Sequence, residues 1–206
     1  MTATEEELVH APTAHAEGHH TSTGLSNAKL GMWAFLGSDC LLFGGLISTF
    51  LLMRAKPVLH GVPVAKIYDI PFTSISSFVL LMSSMTMVLA LSAIQKGDHR
   101  RARTWILTTA LLGAVFVSGQ VYEFTTFYKK GFGYSTNLQS SAFYTLTGFH
   151  GVHVTIGILM LLTLYVMSLR GHLPTERSET VEIIGLYWHF VDIVWILIFT
   201  VVYLIH

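Results

Sequence analysis

Asp39, His150, His153, His189 and Asp192 each stand inside a long apolar run, where an ionisable side chain needs a partner or a purpose. At the centre of a bilayer such a group costs at least ~2.5–3.5 kcal/mol on insertion scales. The spacing is informative as well. His150 and His153 are three apart, as are His189 and Asp192, and on a helix residues three apart share a face. Acid and imidazole groups placed this way can exchange protons, ligate metal, or tie helices together by buried hydrogen bonds. Gln120 and Glu123 form a further polar pair one turn apart, near the end of another apolar run. Glu123 is expected to reach a lipid headgroup or Lys129 and Lys130.

Five elements must position these groups. The 206 residues are 52% hydrophobic and 12% charged, too apolar for a domain that keeps a charged aqueous surface. Apolar runs occupy about 29–53, 72–94, 104–128, 141–169 and 181–205, each near or above the ~20 residues that cross ~30 Å of hydrocarbon. Backbone amides in lipid must pair internally, and the runs lack the alternation of barrel strands, so all five read as helices. The fold class is therefore all-α, a polytopic bundle of five transmembrane helices over 29–206. Residues 1–28, with Glu5, Glu6, Glu7, His10, His15, His19 and His20, offer little to bury and read as a disordered tail. The acidic start lacks the pattern of a cleavable signal peptide. Basic residues favour the N-terminal side as the inner one: seven of the Lys and Arg fall there against five opposite, the densest cluster being Lys96 to Arg103.

If the runs begin at Lys29, Ser141 and Glu182, Asp39 lies ~15 Å into the first helix and the other four groups lie at comparable depth. They are expected to meet in one hydrogen-bonded set that fixes the bundle. Gly37 and Gly44 on the first helix, and Thr147, Gly151 and Thr155 on the fourth, form small-residue strips that let helices approach closely. Trp33, Trp105, Trp188 and Trp195 read as packing or interfacial anchors.

The metal alternative meets a shortage of ligands. An oxygen-reducing haem–copper centre needs about six His within its helices, and a copper electron-entry site needs a Cys pair. The runs hold three His, and Cys40 is the single cysteine. No residue is assigned a catalytic or metal-ligating role. Zero formal net charge gives no basic surface for nucleic acid.

The segment from Phe143 to Val154, with His150 and His153, followed by Tyr187 to Trp195, with His189 and Asp192, closely resembles the paired signature of subunit III of the haem–copper terminal oxidases. Gly31-Met32 through Asp39 to Phe43 agrees in order and spacing. So does Gly97-Asp98 ahead of the run that contains Gln120 and Glu123. The likeness covers about 29–206 and matches the shorter, five-helix form common in bacteria, without the two additional N-terminal helices of longer members. In the longer form those helices help build a cleft for phospholipid. Asp39 stands where the family usually carries Glu, which keeps the carboxylate and shortens its reach.

The resemblance implies a non-catalytic core subunit of an enzyme that reduces O2 to water and pumps protons, with electrons from cytochrome c or a quinol. It implies no haem or copper in this chain, those cofactors residing in other subunits of the complex. It further implies docking on subunit I in company with subunit II and small subunits, stabilisation of subunit I through turnover, and support of proton uptake. Structural phospholipid is expected, with Glu123, Gln120 and Trp33 as candidate contacts. So is a bacterial inner membrane location with the N-terminus cytoplasmic and the C-terminus outside. From the residues alone two rivals remain open: a proton-coupled transporter using the acidic and His residues as a relay, and a membrane redox protein with one haem between His189 and His150 or His153.

Overall fold

The computed structural model describes residues 26–54, 70–171 and 178–205. The His-containing tail to His20, and with it Lys56, Lys66 and Arg177, lies outside the described residues. Five helices follow one another: α1 (Asn27–Arg54), α2 (Ile70–Gln95), α3 (His99–Lys129), α4 (Leu138–Leu169) and α5 (Ser178–Phe199), the last continuing as a π-helical turn over Thr200–Leu204. All five are long and apolar enough to cross a membrane, and no strand occurs among the described residues.

Four helices begin two or three residues before the apolar runs do, and α3 begins five before, since polar caps as well as apolar content set a helix start. At α3, Gly97 adopts φ +75° and Asp98 caps the helix, its carboxylate accepting from the Arg101 N–H at 3.0 Å. The basic cluster after α2 thus joins the first turns of α3. At α4, Asn137 and Ser140 form a reciprocal capping box, each side chain accepting from the other's backbone N–H. Pro71 sits in the first turn of α2, where a missing N–H breaks no intrahelical bond.

The helices alternate in direction, so α1, α3 and α5 run opposite to α2 and α4. Antiparallel α2 and α3 make the most extensive contact, and α3 with α4 the next. On the opposite side α1 leans on α4 and α5. At its ends α1 is tied to α5: Ser26 bonds Glu179, Lys29 pairs with Glu182 at 2.6 Å, and Arg54 donates to the Val201 carbonyl at 3.1 Å. The last of these satisfies a carbonyl of the π turn, whose wider winding disturbs the usual bonding pattern.

Trp188 is the centre of the packing. Its indole is wedged between Gly113 of α3 and Gly157 of α4, where added Cβ atoms would fall 2.5 Å and 2.8 Å from ring carbons. Its Nε1 donates to Ser83 Oγ of α2 at 3.0 Å, so one α5 side chain fastens three neighbours. Trp195, seven residues on, donates to Ser77 Oγ at 2.8 Å and meets Phe116 edge to face at 4.8 Å. In hydrocarbon there is no hydrophobic drive between helices, so close packing and hydrogen bonds of this kind hold the bundle.

Candidate functional site

The ionisable groups do not form one network. Asp39 meets His153 across the α1–α4 seam, Oδ2 to Nε2 at 3.5 Å, both side chains nearly buried. His153 Nδ1 lies 2.7 Å from the Phe149 carbonyl, which can only accept, so Nδ1 carries a proton. A neutral ring would then turn a bare lone pair toward a carboxylate. At 3.5 Å the two stand at ion-pair distance, and Oδ2 is buried without a hydrogen-bond partner among the described residues. Phe43 closes the contact from α1, its ring centroid 5.1 Å from that of His153.

His150 faces α5 instead. Its Nε2 donates to the Val191 carbonyl at 3.2 Å, and the ring is fully buried against Trp195 and Phe116. With Nε2 protonated, Nδ1 is a buried acceptor without a partner. His189 points to a third place, the α2 side of α5, where Nδ1 lies 2.9 Å from Ser84 Oγ. Asp192, three residues on, has a buried Oδ1 without a hydrogen-bond partner among the described residues. In place of the expected single set there are an Asp39–His153 pair, a separate His150 contact, a His189–Ser84 contact, and Asp192 buried on its own account. Successive side chains on a helix rotate by ~100°, and azimuth sends these groups different ways.

Glu123 and Gln120 are also used inside the bundle. Thr73 Oγ1 and Tyr203 OH both donate to Glu123 Oε1, at 2.7 Å and 3.1 Å. Gln120 Nε2 donates to the Thr147 carbonyl at 2.6 Å. Expected as lipid contacts, the two instead join α3 to α2, α4 and the end of α5, because each faces a neighbouring helix that offers polar groups. Trp33 is half exposed and lines a groove of about 190 Å³ with Lys29, Met87, Leu91, Glu182 and His189.

The small residues divide similarly. Thr147 is buried, and a Cβ at Gly151 would fall 2.8 Å from Gln120 Oε1, so this part of the strip admits α3. Thr155 is exposed. Gly37 and Gly44 are exposed too, with nothing within 4 Å of a Cβ at either, so none of the described helices packs on them. The close approaches that sequence reasoning missed are Gly113 and Gly157, and the missed polar ties are Thr73, Ser77, Ser83 and Ser84. A signal was present: α2 contains no charged residue yet carries hydroxyls at turn-like intervals, the pattern of a helix that serves its neighbours as hydrogen-bond partner. Among the described residues no three His, Cys, Asp or Glu side chains converge as a metal site would require.

Comparison with known proteins bears on the whole chain. Residues 9–206 match the family described as cytochrome c oxidase subunit III. The chain is 37% identical over 201 residues to cytochrome c oxidase subunit 3 of Bacillus sp. (strain PS3), covering 97% of this chain and 96% of that one. It is 40% identical over 177 residues to cytochrome c oxidase subunit 3 of Thermostichus vulcanus, covering 85% and 86%. It is 37% identical over 199 residues to cytochrome bo(3) ubiquinol oxidase subunit 3 of Pseudomonas aeruginosa, covering 95% and 94%.

Proposed function

The chain belongs to the cytochrome c oxidase subunit III family, and from that premise we propose that it is the non-catalytic subunit that docks on subunit I and keeps it competent through repeated turnover. As a terminal oxidase subunit III it is a multi-pass membrane protein that works in a complex with other oxidase subunits. The transporter and single-haem readings are not favoured. The electron donor we propose is cytochrome c, in keeping with the relatives of Bacillus sp. and Thermostichus vulcanus. A quinol is the second reading, favoured by the likeness to the Pseudomonas aeruginosa protein. Haems and copper are assigned to other subunits. The proposed setting is a bacterial inner membrane with the N-terminus cytoplasmic.

The observation that carries the docking role is how the polar groups are spent. Asp39, His150, Glu123 and Gln120 tie helices of this chain to one another, while the face of α1 bearing Gly37, Cys40, Gly44 and Ser48 is left uncovered among the described residues. A small-residue face of this kind suits close approach by a partner helix. Proton-uptake support and structural lipid remain part of the proposal, the groove at Trp33 being the place a lipid chain would fit.

Mass spectrometry of the detergent-solubilised complex tests assembly. Recovery with subunits I and II is expected, and recovery alone would refute the reading. Oxygen uptake with reduced cytochrome c or with a quinol then identifies the donor. Stripping this subunit should leave the first turnovers intact and shorten the period of sustained activity. Loss of the first turnover at unchanged haem content would refute a non-catalytic role.

A further inference from the structure

We infer that the turn between α3 and α4 is a headgroup site for an anionic phospholipid, whose phosphate is held by amide, phenol and ammonium groups of residues 128–135. The site is additional to the lipid of the proposed function and lies at the opposite end of the bundle from the Trp33 groove. A bowl of about 720 Å³ opens at this turn, within the ~300–1,000 Å³ usual for small-molecule sites. Phe124 and Tyr144 line it and meet edge to face at 4.9 Å, and Tyr134 flanks Tyr144 at 6.5 Å. Tyr128 lies over Gly133, where a Cβ would fall 3.4 Å from the ring.

At this turn the chain satisfies acceptors and leaves donors. The carbonyls of Gly131, Phe132, Gly133 and Tyr134 accept in order from Thr136 Oγ1 at 3.2 Å, Tyr144 OH at 2.7 Å, the Thr136 N–H at 3.2 Å and Ser141 Oγ at 2.6 Å. The α3 carbonyls of Thr126, Phe127 and Tyr128 accept from the N–H groups of Lys130, Phe132 and Gly131. The donors fare otherwise. The N–H groups of Tyr134 and Ser135, central in the turn, have no partner among the described residues, and neither have the Ser135 hydroxyl, the phenols of Tyr128 and Tyr134, or the ammonium groups of Lys129 and Lys130. A turn that only met water would leave donors and acceptors open alike. Donors in excess around a concavity suit an anion with several acceptor oxygens, as a phosphate diester has.

Charge and position agree with this ligand. No Asp or Glu occurs between Glu123 and Glu176, and Lys129 and Lys130 are exposed. Glu123 is buried and accepts from Thr73 and Tyr203. The negative end of the α3 dipole and the positive end of the α4 dipole meet at the turn and offset each other, so the two lysines set the local field. Position favours a lipid over a soluble anion. With 31 residues α3 is ~46 Å long against ~30 Å of hydrocarbon, which places its last turn among headgroups. Val121 and Tyr122, exposed one to two turns below, offer acyl chains a surface. A phosphatidylglycerol headgroup brings a net negative charge for the lysines and hydroxyls for Ser135 and the phenols, whereas phosphatidylcholine carries its own cation.

The test is amine labelling of the intact oxidase complex in lipid nanodiscs, mapped by mass spectrometry. Subunit content is verified first, so loss of this chain from the complex is not mistaken for an empty site. In discs containing phosphatidylglycerol, Lys129 and Lys130 should react at least about tenfold more slowly than in discs of phosphatidylcholine alone, the effect of a site filled to about nine-tenths. Lys96, exposed at the other membrane surface, reports the general effect of an anionic bilayer and should slow far less. Tyr128→Phe combined with Tyr134→Phe keeps both rings, removes two donors, and should lose most of the protection. Equal slowing of Lys96 would overturn the site, since attraction to the surface would then explain it. Equal protection in both lipid compositions would overturn it in favour of a partner subunit covering the bowl. Protection by inorganic phosphate in phosphatidylcholine discs would overturn the lipid assignment, and full protection in the double Phe variant would remove the phenols from the site.

Discussion

Replacing Gly113 by Ala probes the packing centre directly. A Cβ there would lie 2.5 Å from Trp188 Cη2 and 3.0 Å from Cζ2, against an ordinary carbon contact of ~3.5–4.0 Å. The indole would have to retreat by about 1 Å. It cannot retreat toward α4, because the Gly157 backbone already lies so close that a Cβ there would be 2.8 Å from the ring. Sliding along α5 would stretch the 3.0 Å bond from Nε1 to Ser83 beyond useful length. Overpacking of this kind costs about 1–3 kcal/mol, and the lost hydrogen bond adds ~0.5–1.5 kcal/mol. The expected penalty is therefore about 2–4 kcal/mol, a shift of roughly thirtyfold or more in the folded fraction. Equilibrium unfolding of the purified subunit in mixed micelles, followed by Trp fluorescence, measures it. Adding Trp188→Phe should recover part of the loss, because the smaller ring clears the new methyl and Ser83 keeps its bond to the Leu80 carbonyl. Gly44→Ala, with nothing within 4 Å, is the control and should leave stability unchanged. Equal stability of Gly113→Ala and Gly44→Ala, or the absence of coupling between Gly113→Ala and Trp188→Phe, would refute the wedge.

Three other perturbations follow from the geometry. Ser77→Ala strips the acceptor from Trp195 Nε1 and should cost ~1–3 kcal/mol in the same unfolding assay, with Ser77→Thr milder; an unchanged midpoint in Ser77→Ala would remove this bond from the account. Glu123→Gln keeps a carbonyl oxygen for Thr73 and Tyr203 and should be tolerated, whereas Glu123→Leu removes these two hydrogen bonds and should lower the unfolding midpoint; equal behaviour of the two variants would show the bonds to be incidental. Gly44→Leu should leave the isolated subunit as stable as wild type yet reduce its recovery with subunit I on native gels, since α1 presents this position to whatever lies outside the chain; undiminished recovery would exclude this face from docking.

The five long apolar helices and their alternation in direction were legible in the chain itself. Hydrocarbon leaves the backbone no alternative to helices, and a rise of ~1.5 Å per residue converts sequence position into depth. The small number of His and the single Cys carry the expectation that no redox centre sits in this chain, since ligands must be present before they can converge. Caps moved the boundaries: Asp98 and the Asn137–Ser140 box begin helices ahead of the apolar runs, because a polar side chain can satisfy the first amides before hydrophobicity begins.

What only the tertiary structure decided is which way each group faces. Asp39 finds His153, His150 finds a carbonyl and His189 finds Ser84. The same holds for glycine. Gly37 and Gly44 are as conspicuous in sequence as Gly113 and Gly157, yet only the latter two receive an indole. Sequence position sets how far along a helix a side chain stands, but the rotation of each helix about its axis is fixed by simultaneous packing against all its neighbours. That choice is collective, and no single run of residues contains it.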